Sequence, residues 1–367
     1  MIKYPSTFLH QDLMGRVPLP PAVSVLLPMH QVFSPEPGLQ HRLKIALENT
    51  GHRLRKNYTA EAAAVILARL DKLRLQLQSD PEHKSVALYA SQLHSKLVYL
   101  DVPVEESIVI GDSFAIRDLV ADSQQLREYL VLLLSDKECR FYLGDEAHHL
   151  KLFKTTIPTE VFAYVNEKPE RVASFRDPRE RKEIVGDKFL HYMDEELSRI
   201  LVRHPLPVFV LGPEKILGHF KQHSHHHARI AGYAHGNYLH AGETELQCAV
   251  QFCMAQWQRQ KQHAVLGLLE TAAGHKRLCI GMAQAWATAV QKNGRLLVVE
   301  KSFRFPARRG DTPDRIFRDD SPEENPWGIP DAVDELIGQV IDQGGGVEFV
   351  DDGTLEEYDR IALIRYY

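Results

Sequence analysis

The residues of this 367-residue chain best suited to chemistry lie in a polar stretch from Asn166 to Lys182. It carries Lys168, Arg171, Arg176, Arg179, Arg181 and Lys182 against Glu167, Glu170, Asp177 and Glu180, with Phe175 among them. A guanidinium presents forked donors that match phosphate oxygens, and a phenyl ring can stack on a base, so such a set can grip RNA. The bland alternative is a solvated loop of alternating charge. A second basic set falls on a helical stretch at 41–56: Arg42, Lys44, Arg53, Arg55 and Lys56, with His41 and His52, against Glu48 alone. That face can neutralise several phosphates with salt-dependent affinity, or simply be the wet side of a helix. His30 and Gln31 follow the first apolar strand, where a loop can reach RNA; a lone His at a strand end is otherwise structural.

Other clusters point to less. His223-Ser224-His225-His226-His227, near His219, His235 and His240, offers imidazoles that could take a metal, and His219 and His223 share a helix face. No carboxylate stands between His219 and His240, so neither a His-Glu-x-x-His set nor a base is in view. A polar surface run is expected, with no metal and no cofactor. Cys248, Cys253 and Cys279 sit among apolar neighbours and read as buried, inert thiols. Gly344-Gly345-Gly346 precedes a strand instead of opening a helix, which makes it a turn and not a phosphate cradle. Gly-x-Ser-x-Gly, Walker A and Rossmann fingerprints do not occur in the sequence.

The elements that position these residues follow from apolar patterning. Val23–Leu27 reads as a strand stopped by Pro28, followed by helices over about 40–56 and from Ala60, where Thr59 is an N-cap and Ile66, Leu70, Leu73 and Leu77 share a face. Runs at 86–90 and 96–100 are strand-like. Tyr129–Leu134 and Cys139–Leu143 flank a Ser135-Asp136-Lys137 turn as a hairpin, and the polar connection 166–182 leads into a helix from about Glu183 to Arg203. Helices over 243–260, 282–292 and 331–342 alternate with short strands at 278–280, 296–299, 347–350 and 361–364, while 305–330 reads as an exposed loop. The fold class is α/β: three α/β domains at 1–122, 123–252 and 253–367, the last a three-layer α/β/α sandwich.

Composition bounds the partners. With 44% hydrophobic and 25% charged residues the chain is globular, and a net charge of −5 excludes a generally basic nucleic-acid binder. The balance of basic to acidic residues is 13 to 13 in the first domain, 17 to 18 in the second and 14 to 18 in the third. The acidic last domain therefore suits a protein partner better than RNA. No apolar run is long enough for a membrane helix and the amino end lacks a signal-peptide stretch, so a cytoplasmic protein without membrane contact is expected.

The last third runs helix, Asn293-Gly294-Arg295, strand to Glu300, long loop, helix, Gln343-Gly344-Gly345-Gly346-Val347-Glu348-Phe349-Val350, and Ile361–Arg365-Tyr366. This resembles the third domain of archaeal and eukaryotic class I release factors and Pelota. The middle third resembles that superfamily's second domain, and Leu26-Leu27-Pro28-Met29-His30 resembles the first strand of its bacterial branch, to which the hibernation factor Balon belongs. The resemblance implies a tRNA-shaped ribosome binder. Its first domain would face the decoding-centre rRNA, its middle loop the peptidyl transferase centre, and its third domain a translational GTPase such as elongation factor Tu or a ribosomal protein. The family's release enzymes carry Gly-Gly-Gln in the loop before the long middle helix and read stop codons with Asn-Ile-Lys-Ser; this sequence has neither. A non-catalytic factor of hibernation or stalled-ribosome rescue is expected, with a peptidyl-tRNA or RNA hydrolase built on a remade loop as the alternative.

Overall fold

The computed structural model describes residues 20–29, 38–78, 83–145, 149–153, 159–167, 178–321 and 328–367. The chain opens with β1 (Ala22–Pro28), α1 (Leu39–Asn57), α2 (Ala60–Gln76), β2 (Ser85–Ala90), β3 (Ser95–Leu100), β4 (Ser107–Gly111) and α3 (Arg117–Ser123). Next come β5 (Glu128–Leu134), β6 (Cys139–Asp145), β7 (Leu150–Phe153), α4 (Val161–Glu167), α5 (Pro178–Arg203), β8 (Val208–Gly212), α6 (Glu214–His223), β9 (Ile230–His235) and α7 (Glu243–Gly274). The rest comprises β10 (Leu278–Ile280), α8 (Gly281–Val290), β11 (Gly294–Glu300), β12 (Ala307–Arg309), β13 (Ile316–Arg318), β14 (Gly328–Ile329), α9 (Ala332–Asp342), β15 (Gly346–Val350) and β16 (Ile361–Arg365). These elements fall into two compact units: Met1–Gln125 with Val265–Tyr367, and Leu126–Ala264. The α/β class read from the sequence is the class observed.

The Leu126–Ala264 unit is built on a five-stranded sheet in the order β7-β6-β5-β8-β9. The expected hairpin is present, with Leu134 opposite Cys139. Ser135 closes its turn by accepting the amide of Glu138 at 2.9 Å. The central strands β5 and β8 pair in parallel and are buried on both faces, which is why Tyr129–Leu134 and Val208–Leu211 read as unbroken apolar runs. Leu130, Leu132, Val208 and Val210 face α5 and α6, and Val131, Leu133, Phe209 and Leu211 face Leu246, Val250 and Cys253 of α7. Helix α5 begins at Pro178, five residues before the Glu183 start read from the sequence. Proline has no amide hydrogen to lose at the first helical position, so Pro178 opens the helix instead of bending a loop.

The larger unit holds two main sheets. In the first, β3-β2-β1-β4, all neighbours are antiparallel. Alternate residues divide between two cores: Val23, Val25, Leu27, Val86 and Leu88 pack on α1 and α2, whereas Ala22, Leu26, Ala87 and Tyr89 face the last third of the chain. The second sheet, β10-β16-β11-β15, is the middle layer of the expected α/β/α sandwich. Leu297, Val299 and Leu363 contact α8 and α9, and Val298, Ala362 and Ile364 contact Leu269 and Ala272 of α7. Helix α7 therefore does not end near Gln260; no proline interrupts it, and its final turns supply this outer layer. The 305–330 segment is likewise not simply a loop, for it contains the small sheet β13-β12-β14, seated by buried Ala307, Ile316 and Ile329.

Within this unit one buried polar junction joins first and last thirds. The Arg117 guanidinium donates to the carbonyls of Phe303 (2.5 Å), Glu300 (3.1 Å) and Lys301 (2.7 Å) and pairs with Asp331 at 3.2 Å. Asp334 accepts the amides of Ile116 (2.9 Å) and Arg117 (2.6 Å). Burial and the nearby Asp331 carboxylate push the Asp334 carboxyl up to about 8, against the pull of those two amides. The folded chain thus keeps a proton that the unfolded chain releases near pH 4. Stability contributed this way is complete below about pH 4 and is lost as pH rises toward 8. Asp334→Asn, which keeps an acceptor but cannot ionise, should flatten the decline in melting temperature between pH 5 and 8. Asp334→Ala should destabilise at every pH, by roughly 1–3 kcal/mol for each amide left unpaired.

Candidate nucleic-acid interface

Helix α1 brings part of its basic set into one groove. Lys44, His52 and Arg55 line a cleft with Gly51 and with Leu67, Asp71 and Arg74 of α2. The groove's acids take part of its charge, Glu48 lying 4.0 Å from Lys44 and Asp71 3.4 Å from Arg74. Arg42 and Arg53 instead reach the strands, donating to the carbonyls of Pro28 (2.5 Å) and Ile108 (3.2 Å). Lys56 lines a separate cleft with Pro21, Tyr58 and Gln92. The helix therefore splits its expected contacts: Lys44 and Arg55 share the groove, Lys56 lies apart, and Arg42 and Arg53 tie the helix to the sheet.

His30, Gln31, Lys168, Arg171, Phe175 and Arg176 lie outside the described residues. Arg179, Arg181 and Lys182 fall on the first two turns of α5, so they belong to a helix and not to the loop expected there. A helix amino end carries about half a positive charge from its unpaired amides. In the sequence Arg179, Arg181 and Lys182 alternate there with Glu180 and Glu183.

The histidine run is ordered by carboxylates from elsewhere in the chain. Asp194, on α5 and buried, accepts the Ser224 hydroxyl at 2.6 Å and both the amide and Nδ1 of His225 at 3.1 Å. His226 Nε2 lies 2.7 Å from the Ser198 hydroxyl, and His219 Nδ1 lies 2.7 Å from Asp187. One face of α5 (Asp187, Asp194, Ser198) thus pins the end of α6 and the turn after it. Among the described residues no group of three or more His, Cys, Asp or Glu is arranged to hold a metal ion. Cys253 and Cys279 are buried as expected, but Cys248 is exposed. Five residues apart on α7, Cys248 and Cys253 point about 140° from each other, so both cannot face one core. Burial raises the Cys253 thiol above its ordinary range, which keeps it unreactive.

Residues 128–293 match the family model described as bacterial archaeo-eukaryotic release factor family 3. The resemblance read in the sequence therefore stands: the chain is similar to this release factor superfamily. The matched segment spans the five-stranded sheet, α5, the histidine turn and α7. Solved structures that match the chain include an archaeal translation termination factor, aRF1, at 16% identity over 100% of this chain and 99% of that one, with a TM-score of 0.25. They also include Dom34 of S. cerevisiae, described as a translation termination-like factor in RNA quality control that interacts with Hbs1, at 12% identity, 80% and 75% coverage and a TM-score of 0.41. An archaeal Pelota described as ribosome-bound with ABCE1 aligns at 13% identity, 74% and 72% coverage and a TM-score of 0.43. No curated protein matches the chain.

Sequence reasoning missed Asp194 as the anchor of the histidine turn. The signal was faint: an Asp at a position that shares a helix face with buried Leu190, Leu197 and Leu201. Asp194→Ala should lower the melting temperature markedly, because the Ser224 hydroxyl and His225 amide lose their acceptor at roughly 1–3 kcal/mol each. His225→Ala, at an exposed position, should cost less than about 1 kcal/mol by the same measurement. Equal losses for the two variants would mean that the ring, not the carboxylate, holds the turn.

Proposed function

We propose that this chain is a ribosome A-site binding factor of the release factor and Pelota type, without peptide-release activity, acting in ribosome hibernation or stalled-ribosome rescue. The observation that carries the reading is a mismatch inside a match. The family model covers the middle of the chain, yet between Asn166 and Lys182 there is neither Gly nor Gln. Peptide release in the superfamily resembled needs a Gly-Gly backbone that enters a crowded RNA site and a Gln that helps position water. Positioning is what such a loop contributes to rate, and here Pro169, Pro178 and bulky cations stand in its place. The cations at the start of α5 and the α1–α2 groove supply contacts to rRNA at the peptidyl transferase and decoding centres. The acidic surface of the last third suits a translational GTPase such as elongation factor Tu.

Two measurements test this. At saturating protein, ribosomes loaded with labelled peptidyl-tRNA should release no more peptide than in buffer, while A-site tRNA displaces the protein. Peptide release that disappears on changing Arg179 or Arg181 would move the chain into the hydrolase class.

Reversing Arg176, Arg179 and Arg181 to Glu should weaken ribosome co-sedimentation and lower its salt slope by roughly 1 for each phosphate that is no longer neutralised. Unchanged affinity would return this segment to an ordinary solvated surface.

A further inference from the structure

We propose that the outer face of the small sheet β12–β14 is a binding platform for single-stranded RNA, with a base stacked on Phe317 beside Arg308. This goes beyond the ribosome-binding reading, which leaves the last third of the chain to a protein partner. The acidic balance of that third is an average over two unlike surfaces. Residues 301–320 hold six basic side chains (Lys301, Arg304, Arg308, Arg309, Arg315 and Arg318) against Asp311, Asp314, Asp319 and Asp320, and Lys301 and Arg318 pair with Asp351 and Asp320.

The strand register sorts these side chains by face. Arg309 pairs with Ile316 on the inner side, beside the core, and is neutralised by Glu335 at 3.0 Å and Asp112 at 3.5 Å. Arg304 is likewise held by Asp331 at 3.2 Å. Arg308 lies on the opposite face, directly across from Phe317, with its guanidinium carbon 5.2 Å from the ring centroid. It is exposed and has no carboxylate partner among the described residues. Phe317 is 47% exposed although its neighbour Ile316 is buried.

A single exposed phenyl group is ordinary; its setting here is not. On its other side Arg308 faces Gly328, which adds no side chain to the platform. A Cβ at Gly310 would come within 2.9 Å of Arg315 Cβ and 3.0 Å of the Phe317 ring, so the hairpin turn lies close against the ring only because this residue carries no side chain. The result is a half-exposed aromatic ring with a guanidinium laid over it. Every base offers a π-face to such a ring, and the adjacent guanidinium can meet the phosphate. An acidic peptide would use the arginine and leave the ring idle, which is why RNA is the better fit.

The test uses the full chain and a fluorescein-labelled oligouridine. Phe317→Ala and Arg308→Glu should each weaken binding about 10-fold at low salt, within the range of removing one base stack, while Phe317→Trp should retain it. Tryptophan emission of the Phe317→Trp variant should fall on saturation with unlabelled oligouridine by more than that of the unmodified protein. Failure of the unmodified protein to bind the oligonucleotide, or equal affinity of the Phe317→Ala variant, would overturn the proposal. Displacement of the RNA by a glutamate-rich peptide that binds both proteins equally would overturn it too, assigning the face to an acidic partner. Ribosome co-sedimentation of Phe317→Ala separates the two readings, since removing this platform leaves the α1 and α5 cations in place.

Discussion

The larger unit depends on one buried guanidinium. Its chain leaves at Gln125 and returns at Val265, so two sequence-distant segments must meet in one register. Apolar contact between them is extensive but without direction; it would tolerate sliding. Arg117 removes that freedom, because three carbonyls and one carboxylate from the last third converge on a side chain from the first. A buried ion pair is weak as a source of net stability, since desolvation offsets most of its attraction. Removing one partner is nevertheless costly, at about 3–5 kcal/mol, and misaligned pairings incur the same penalty. Arg117 therefore selects one arrangement among many that would bury similar area. Asp331 repeats the logic at the next level: it meets Arg117, caps α9 at the amide of Val333 and accepts the amide of Phe305.

What the sequence disclosed follows from the range of the forces involved. Strands buried on both faces, such as β1, β2, β5 and β8, announced themselves as apolar runs, and the Thr59 cap and Ser135 turn are local chemistry. The short strand β4, with Ile108-Val109-Ile110 at its centre but only half-covered along its length, was missed. So were the three-residue strands β12 and β13, too short to show a period. The reach of α7 to Gly274 was invisible because its last turns bury residues against a sheet formed much later in the chain.

The candidate site was legible to the same degree. Residue types suited to phosphate were visible in α1 and around 166–182, but their division of labour was not. Only the fold shows that Arg42 and Arg53 reach backbone carbonyls while Lys44 and Arg55 face the groove. The histidine run makes the point more sharply. Its missing carboxylate was absent only from the neighbouring sequence; Asp187 and Asp194 arrive from α5, some thirty residues away. A search for acid–base partners confined to local spacing cannot find them.

Charge placement at the start of α5 carries a further physical consequence. Cations in the first turns of a helix oppose its dipole and each cost roughly 0.3–1 kcal/mol, whereas Asp or Glu there would stabilise it. Arg179, Arg181 and Lys182 occupy those turns with only Glu180 and Glu183 interspersed. A sequence optimised for helix stability alone would carry the opposite charge there. The same cations become favourable once an anion sits at the helix end, because dipole and side chains then act on it with one sign.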